Sequence, residues 1–144
     1  MATRTPDQII RALGLQAHPE GGHYHEIYRA APVKPGGRSA MTSIHYLLQA
    51  GERSAWHRID ATEVWHFHDG APLCLWVREK GGEMTETILG PDASAGQQAQ
   101  VIIPPHAWQS AECQGDWTLV SCTVAPGFHF AGFEMAPGDV LPDD

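Results

Sequence analysis

The stretch Gly51–Gly70 reads GERSAWHRIDATEVWHFHDG and carries three of the chain's nine histidines, two tryptophans and a glutamate set among apolar residues. It reads as two strands, SAWHRI and EVWHFHDG, joined by a polar corner at Asp60–Thr62. Side chains alternate across a strand. His57 therefore shares a face with Ile59, and Glu63 shares one with Trp65 and Phe67. Two adjacent antiparallel strands then point His57 and Glu63 into one cavity. His66 and His68 have the opposite parity to Glu63 and face the other side of the sheet.

An imidazole and a carboxylate in an apolar pocket suit a hard or borderline divalent metal. They equally suit a general acid/base pair, because burial tunes both groups. The plain alternative is a structural hydrogen-bonded pair. His45 can enter the same pocket by its parity, as a substrate contact. Trp65 and Trp108 are expected to wall the pocket with apolar, stacking surface. The pairs His66/His68 and His23/His25 read as exposed strand residues rather than metal clips, and His106, beside two prolines, reads as a solvent-exposed turn.

The rest of the 144-residue chain fits this picture of one domain with one core, residues 1–144. TPDQIIRALG forms a helix near residues 6–13: Thr5 caps it, Gln8 completes a capping box, Ile9, Ile10 and Leu13 make its apolar stripe, and Gly14 stops it. Everything after Gly14 reads as short strands with Gly, Pro and Asp punctuation, which argues an all-β barrel or sandwich. The tail APGDVLPDD reads as a loose end.

Net charge is −8 and no Lys/Arg cluster exists, which argues against nucleic acid. No apolar run is long enough for a membrane span. The start MATRTPDQII lacks a basic stretch followed by an apolar core, so no secretory leader is expected. Cys74, Cys113 and Cys122 form no C-x-x-C pair and read as buried thiols in a reducing compartment, hence a cytoplasmic expectation.

Gly51-x5-His57-x-Ile59-x3-Glu63-x6-Gly70 resembles the first cupin motif, G-x5-H-x-H-x3-E-x6-G, in every spacing. Ile59 stands where that motif has its second histidine. The second motif, P-x-G-x2-H, falls on Pro104, His106 and Gln109, so histidine is again replaced. More narrowly, HPEGGHYHEIYR, WHRIDATEVWHFHDGAPL, IPPHAWQSA and APGFHFAGFEM resemble the cupin-5 (DUF985) family over most of the chain. The resemblance implies a cupin-type antiparallel jelly-roll barrel, a homodimer and a small-molecule pocket. It implies no settled reaction.

On this resemblance, His57, Glu63 and Gln109 become the metal ligands, with His57 and Glu63 also the catalytic pair. Ile59 supplies no donor and Gln109 only a neutral oxygen, so metal binding is expected to be weak, leaving the protein partly or wholly apo. Iron, manganese or nickel suits such an open site better than zinc, which favours four Cys or His ligands. By analogy with epimerases that share the jelly roll, the expected function is that of a small-molecule-binding protein acting as a metal-dependent isomerase, epimerase or lyase on a sugar-like or keto-acid substrate. The alternative is a non-catalytic ligand-binding or sensing barrel with a reduced metal site. His66, His68 and the strand around Ile27 are the expected dimer surface.

Overall fold

The computed structural model describes residues 4–143; residues 1–3 of the stretch read above for a leader, and residue 144 of the tail, lie outside it. Its one α-helix among the described residues, α1 (Pro6–Leu13), has the ends expected of it. The Thr5 hydroxyl accepts from the Gln8 N–H at 3.2 Å while Gln8 Oε1 accepts from the Thr5 N–H at 2.9 Å. No described helix is long and apolar enough to cross a membrane.

Eleven strands follow among the described residues: β1 (Gln16–Ala17), β2 (His23–Arg29), β3 (Thr42–Gln49), β4 (Arg53–Ile59), β5 (Thr62–Gly70), β6 (Leu73–Arg78), β7 (Thr85–Leu89), β8 (Gln100–Ile103), β9 (Trp108–Cys113), β10 (Trp117–Ala125) and β11 (Phe133–Met135). They form a six-stranded sheet, β1-β2-β3-β10-β5-β8, and a five-stranded sheet, β11-β4-β9-β6-β7. Every ladder between these strands is antiparallel. From β3 onward the chain crosses between the sheets at nearly every step, and this is the jelly-roll arrangement.

The two inner faces meet in the main core, where Tyr46, Leu48, Trp65, Leu73, Leu75 and Ile103 are buried. Each such side chain contributes roughly 1.5–3 kcal/mol by leaving water. Helix α1 covers the outer face of the six-stranded sheet, where Ile9 packs with Leu15, Leu47, Trp117 and Leu119. That second layer explains why β3 reads Tyr46–Leu47–Leu48 without alternation: Leu47 serves the helix side, its neighbours the barrel.

Two irregularities matter for the site. Between Ser54 and His57 on β4 the register against β9 slips, because Ser54 pairs with Ala111 and His57 with Gln109. Three steps on one strand oppose two on the other, which is a β-bulge. Residues three apart would otherwise point to opposite faces; the extra residue turns both Ser54 and His57 inward. The tail APGDVLPDD is anchored at its start. The Ala136 N–H donates to the Trp56 carbonyl at 2.9 Å, the Trp56 N–H donates to Asp139 Oδ1 at 2.7 Å, and Ala136 is buried, while Val140 beyond them is exposed. Burial of Ala136 against Trp56 outweighs the Gly/Pro punctuation that suggests an end without structure.

The spacing between the first and last glycine of Gly51–Gly70 has a backbone cause. Both adopt positive φ, +83° and +91°, a region that disfavours residues with a Cβ. A Cβ on Gly70 would lie 2.4 Å from the Trp117 carbonyl oxygen, whereas one on Gly51 would meet nothing within 4 Å. Gly51→Ala is therefore expected to cost about 1 kcal/mol, from φ alone, and Gly70→Ala about 3 kcal/mol or more. Urea denaturation of the two variants checks this; equal costs would contradict the clash at Trp117.

Candidate functional site

A cavity of about 160 Å³ opens between the two sheets. Its polar floor is His18, Glu20, His57 and Glu63, with Ile44, Ile59 and Val124 on the walls and Phe128, Phe130 and Phe133 towards the mouth. His57 is 2% exposed, Glu63 7%, Glu20 9% and Gln109 0%, so these groups are withdrawn from water. Strand pairing puts His57 directly opposite Gln109, and Glu63 opposite Val124. The expectation that His57 and Glu63 share one cavity describes where the structure places them.

Hydrogen-bond chemistry fixes the roles of the site atoms. Nδ1 of His57 lies 2.7 Å from the Ala55 carbonyl oxygen, which only accepts, so Nδ1 carries the proton. The same nitrogen stands 3.1 Å from Glu20 Oε2. Nε2 is left with its lone pair. Burial lowers the pKa of His57, against the pull of Glu63, and keeps the ring neutral. Glu63 Oε1 accepts from Gln109 Nε2 at 2.8 Å, and Gln109 Oε1 accepts from the Trp65 indole N–H at 2.9 Å. An indole nitrogen only donates, so the amide of Gln109 is held in one orientation. Burial pushes the Glu63 carboxyl up to about 7, with His57 opposing.

Glu20 and His18 received no role from the sequence, yet they complete the floor. Glu20 sits in the turn His18–Gly22, pinned because the Ala55 N–H donates to the Glu20 carbonyl at 2.7 Å and the Tyr46 hydroxyl donates to the Gly21 carbonyl. Its carboxyl meets His18 Nε2 at 3.3 Å on one oxygen and the Ser54 hydroxyl and His57 on the other. His18 Nδ1 accepts from the Glu20 N–H at 3.1 Å, so Nε2 holds its proton. Burial raises Glu20 to about 8, with the Ser54 hydrogen bond opposing, and burial lowers His18 to about 4, followed by His57. A Pro-Glu-Gly-Gly turn has no periodicity to aim a side chain inward. The only sequence signal was that HPEGG lies inside a segment resembling cupin-5.

Three expected contacts are corrected. Trp108 lies on the outer face of the five-stranded sheet with Trp56 and Ala136, under the Arg58 guanidinium at 4.4 Å. It adjoins Gln109, so strand alternation sends it the opposite way. His45 lies on the outer face of the six-stranded sheet, its ring 6.2 Å from that of His68, while its neighbour Ile44 lines the cavity. Trp65 points inward but packs in the main core and reaches the site through Gln109. His66 and His68 face outward as their parity requires, near Thr123 and Ser121.

The profile described as Cupin superfamily (DUF985) matches residues 7–136. The chain belongs to that family. A crystal structure of a Shewanella oneidensis protein superposes with a TM-score of 0.88 at 37% identity, covering 93% of this chain and 85% of that one. A hypothetical protein from Leishmania major gives 0.85 at 30%, covering 92% and 88%. Oxalate decarboxylase from Bacillus subtilis gives 0.63 at 12%, covering 83% of this chain and 29% of that one; this likeness shows the fold alone. No curated protein matches the chain.

Cupins often hold a metal, and the donor set here does not fit one. Ile59 offers hydrocarbon, and Gln109 Oε1 is committed to Trp65. Among the described residues no three His, Cys, Asp or Glu side chains are placed to hold an ion. The expectation of Gln109 as a ligand is corrected on this ground: its buried amide orients Glu63.

The buried carboxyls make stability depend on pH. An unfolded glutamate ionises near 4.5, while folded Glu20 keeps its proton to about 8. The folded state holds more protons between these values, so this stabilisation is complete below the unfolded pKa and is lost as pH rises through the folded one. His18 and His57, lowered from 6.5, act oppositely, losing stability as pH falls below 6.5. Above it the carboxyl effect stands alone. Wild type is expected to lose about 2 kcal/mol between about pH 6.5 and 8.5, and Glu20→Gln to flatten most of that slope. Urea denaturation at the two pH values checks this; an unchanged slope in Glu20→Gln would contradict it.

Proposed function

We propose that this cupin is a small-molecule enzyme that moves a proton next to a carbonyl, as isomerases, epimerases and some lyases do, without a metal. The observation that carries the reading is the arrangement of His57. Its ring is neutral, its Nδ1 proton is fixed by Ala55, and its free Nε2 shares a buried cavity with Glu20 and Glu63. Perturbed titratable groups converging in a cavity are the usual physical mark of acid/base chemistry.

The roles follow from the protonation states. His57 Nε2 takes the proton from the carbon beside the carbonyl, becoming imidazolium. Protonated Glu63 gives its proton to the carbonyl oxygen, so an enediol forms and no net charge is created across the pair. Imidazolium His57 then gives its proton to the neighbouring carbon while the Glu63 carboxylate takes the proton of the second hydroxyl, which becomes the carbonyl; the isomer forms and both groups return to their starting states. The acid has the higher pKa of the pair, so the reactive form, neutral imidazole with protonated carboxyl, is also the dominant one between the lowered pKa of His57 and about pH 7. Glu20, with His18 and Ser54, holds His57 Nδ1 and accommodates the charge that develops on the ring.

Exchange of carbon-bound hydrogen in heavy water, followed by proton NMR over a panel of small hydroxy-carbonyl and keto compounds, tests the reading. At least one compound is expected to exchange, with a rate falling above about pH 7 and unaffected by dialysis against a chelator. His57→Ala and Glu63→Gln should each lower the rate by about 10²–10⁴-fold. Exchange lost on chelation would return the metal. Binding with no exchange by any compound would overturn catalysis in favour of a ligand-binding barrel, a reading that the missing imidazole at Ile59 favours.

A further inference from the structure

The basic groups at the cavity mouth are engaged by acids. Arg29 lies at the mouth, where its Nε and Nη2 each donate to Glu26 at 2.8 Å and Nη2 also donates to the Phe128 carbonyl at 3.1 Å. His129, also at the mouth, has Nε2 3.2 Å from Asp60, and Asp60 takes a two-pronged contact from Arg38 at 2.8 and 3.1 Å. Among the described residues no lysine lines the cavity. The floor adds two glutamates and no positive charge, so an incoming carboxylate or phosphate would meet no unmatched cation at the floor or at the mouth. A buried anion without a partner carries a large desolvation cost.

The remaining surface is hydrocarbon and aromatic. Phe128, Phe130 and Phe133 contact one another edge to face with ring centres 5.0–6.0 Å apart. Phe133 also lies 5.6 Å from the His57 ring, so one wall of the polar floor is a carbon face. A dry engineered cavity of about 150 Å³ holds benzene, which sets the scale for one of about 160 Å³. That corresponds to a ligand of roughly six to eight non-hydrogen atoms.

We propose that the cavity takes a compact, uncharged ligand with one hydrogen-bonding edge on His57 and Glu63 and its carbon face on Phe133, and that it rejects carboxylates and phosphates. Resting on the proton-transfer reading, this selects small neutral hydroxy-carbonyl compounds over keto acids as substrates. The discrimination resides in the Glu26–Arg29 pair: with Glu26 neutralised, the guanidinium is free to receive an anion.

Binding is measured by ligand-observed saturation-transfer NMR with competition, on full-length protein near neutral pH. Two matched pairs serve as probes, dihydroxyacetone against pyruvate and lactamide against lactate. In each pair the uncharged member should bind at least about tenfold more tightly to wild type. Glu26→Gln should narrow that gap by about fivefold or more through tighter anion binding. Equal or tighter binding of the anions to wild type overturns the proposal, as does failure of both uncharged probes to bind at millimolar concentration. An unchanged preference in folded Glu26→Gln also overturns it. The two readings fail separately. A neutral probe that binds without hydrogen exchange removes the reaction and leaves the ligand class standing. Pyruvate that binds and exchanges does the reverse.

Discussion

Burial of the Glu20 carboxyl is the constraint around which the site is built. A carboxyl withdrawn from water needs hydrogen-bond partners on both oxygens, or its burial is strongly destabilising. His18 serves one oxygen, and Ser54 and His57 gather at the other. A hydroxyl serves an ionised carboxylate as donor and a protonated one as acceptor, so Ser54 satisfies Glu20 in either state. Ser54 and His57 reach Glu20 together only because β4 carries its bulge between them. The turn that presents Glu20 is itself held at the Glu20 and Gly21 carbonyls. The loop, the bulge and the neutral imidazole are thus parts of one solution to one buried acid.

A second chain of contacts, Trp65 to Gln109 to Glu63, treats the other carboxyl in the same way. Where the cupin pattern has a histidine, Gln109 turns its nitrogen to the acid and its oxygen to an indole. Where the pattern has the other histidine, Ile59 joins the apolar wall with Val124 and Phe133. The two replacements act together. They remove metal donors and leave the carboxyls in a poorly solvated place, which lifts their pKa values towards neutrality. Such a site offers few free donors to an ion.

Much of this was legible in the residues, for identifiable reasons. Helix α1 announces itself through Thr5, Gln8 and Gly14, and the strands through punctuation, because these are local signals. Gly51, His57, Glu63 and Gly70 are legible because strand geometry fixes their spacing. His45 was misplaced because the parity of β3 is hidden: Tyr46, Leu47 and Leu48 are all buried, and no count along the chain tells which face the helix covers. Trp108 was recoverable, since it adjoins Gln109 and cannot share its face. Glu20 and the β4 bulge were not recoverable, because one depends on a turn held by distant strands and the other on a slip in register.

Burial should make two glutamates in this cavity titrate near neutral pH beside a neutral His57. Carbon NMR of glutamate carboxyls, followed through a pH titration of labelled protein, tests it most directly. Two side chains are expected with midpoints near 7 and 8, assigned to Glu63 and Glu20 by the spectra of Glu63→Gln and Glu20→Gln. Titration of every glutamate below about pH 5.5, in the ordinary range for a solvated carboxyl, would contradict it.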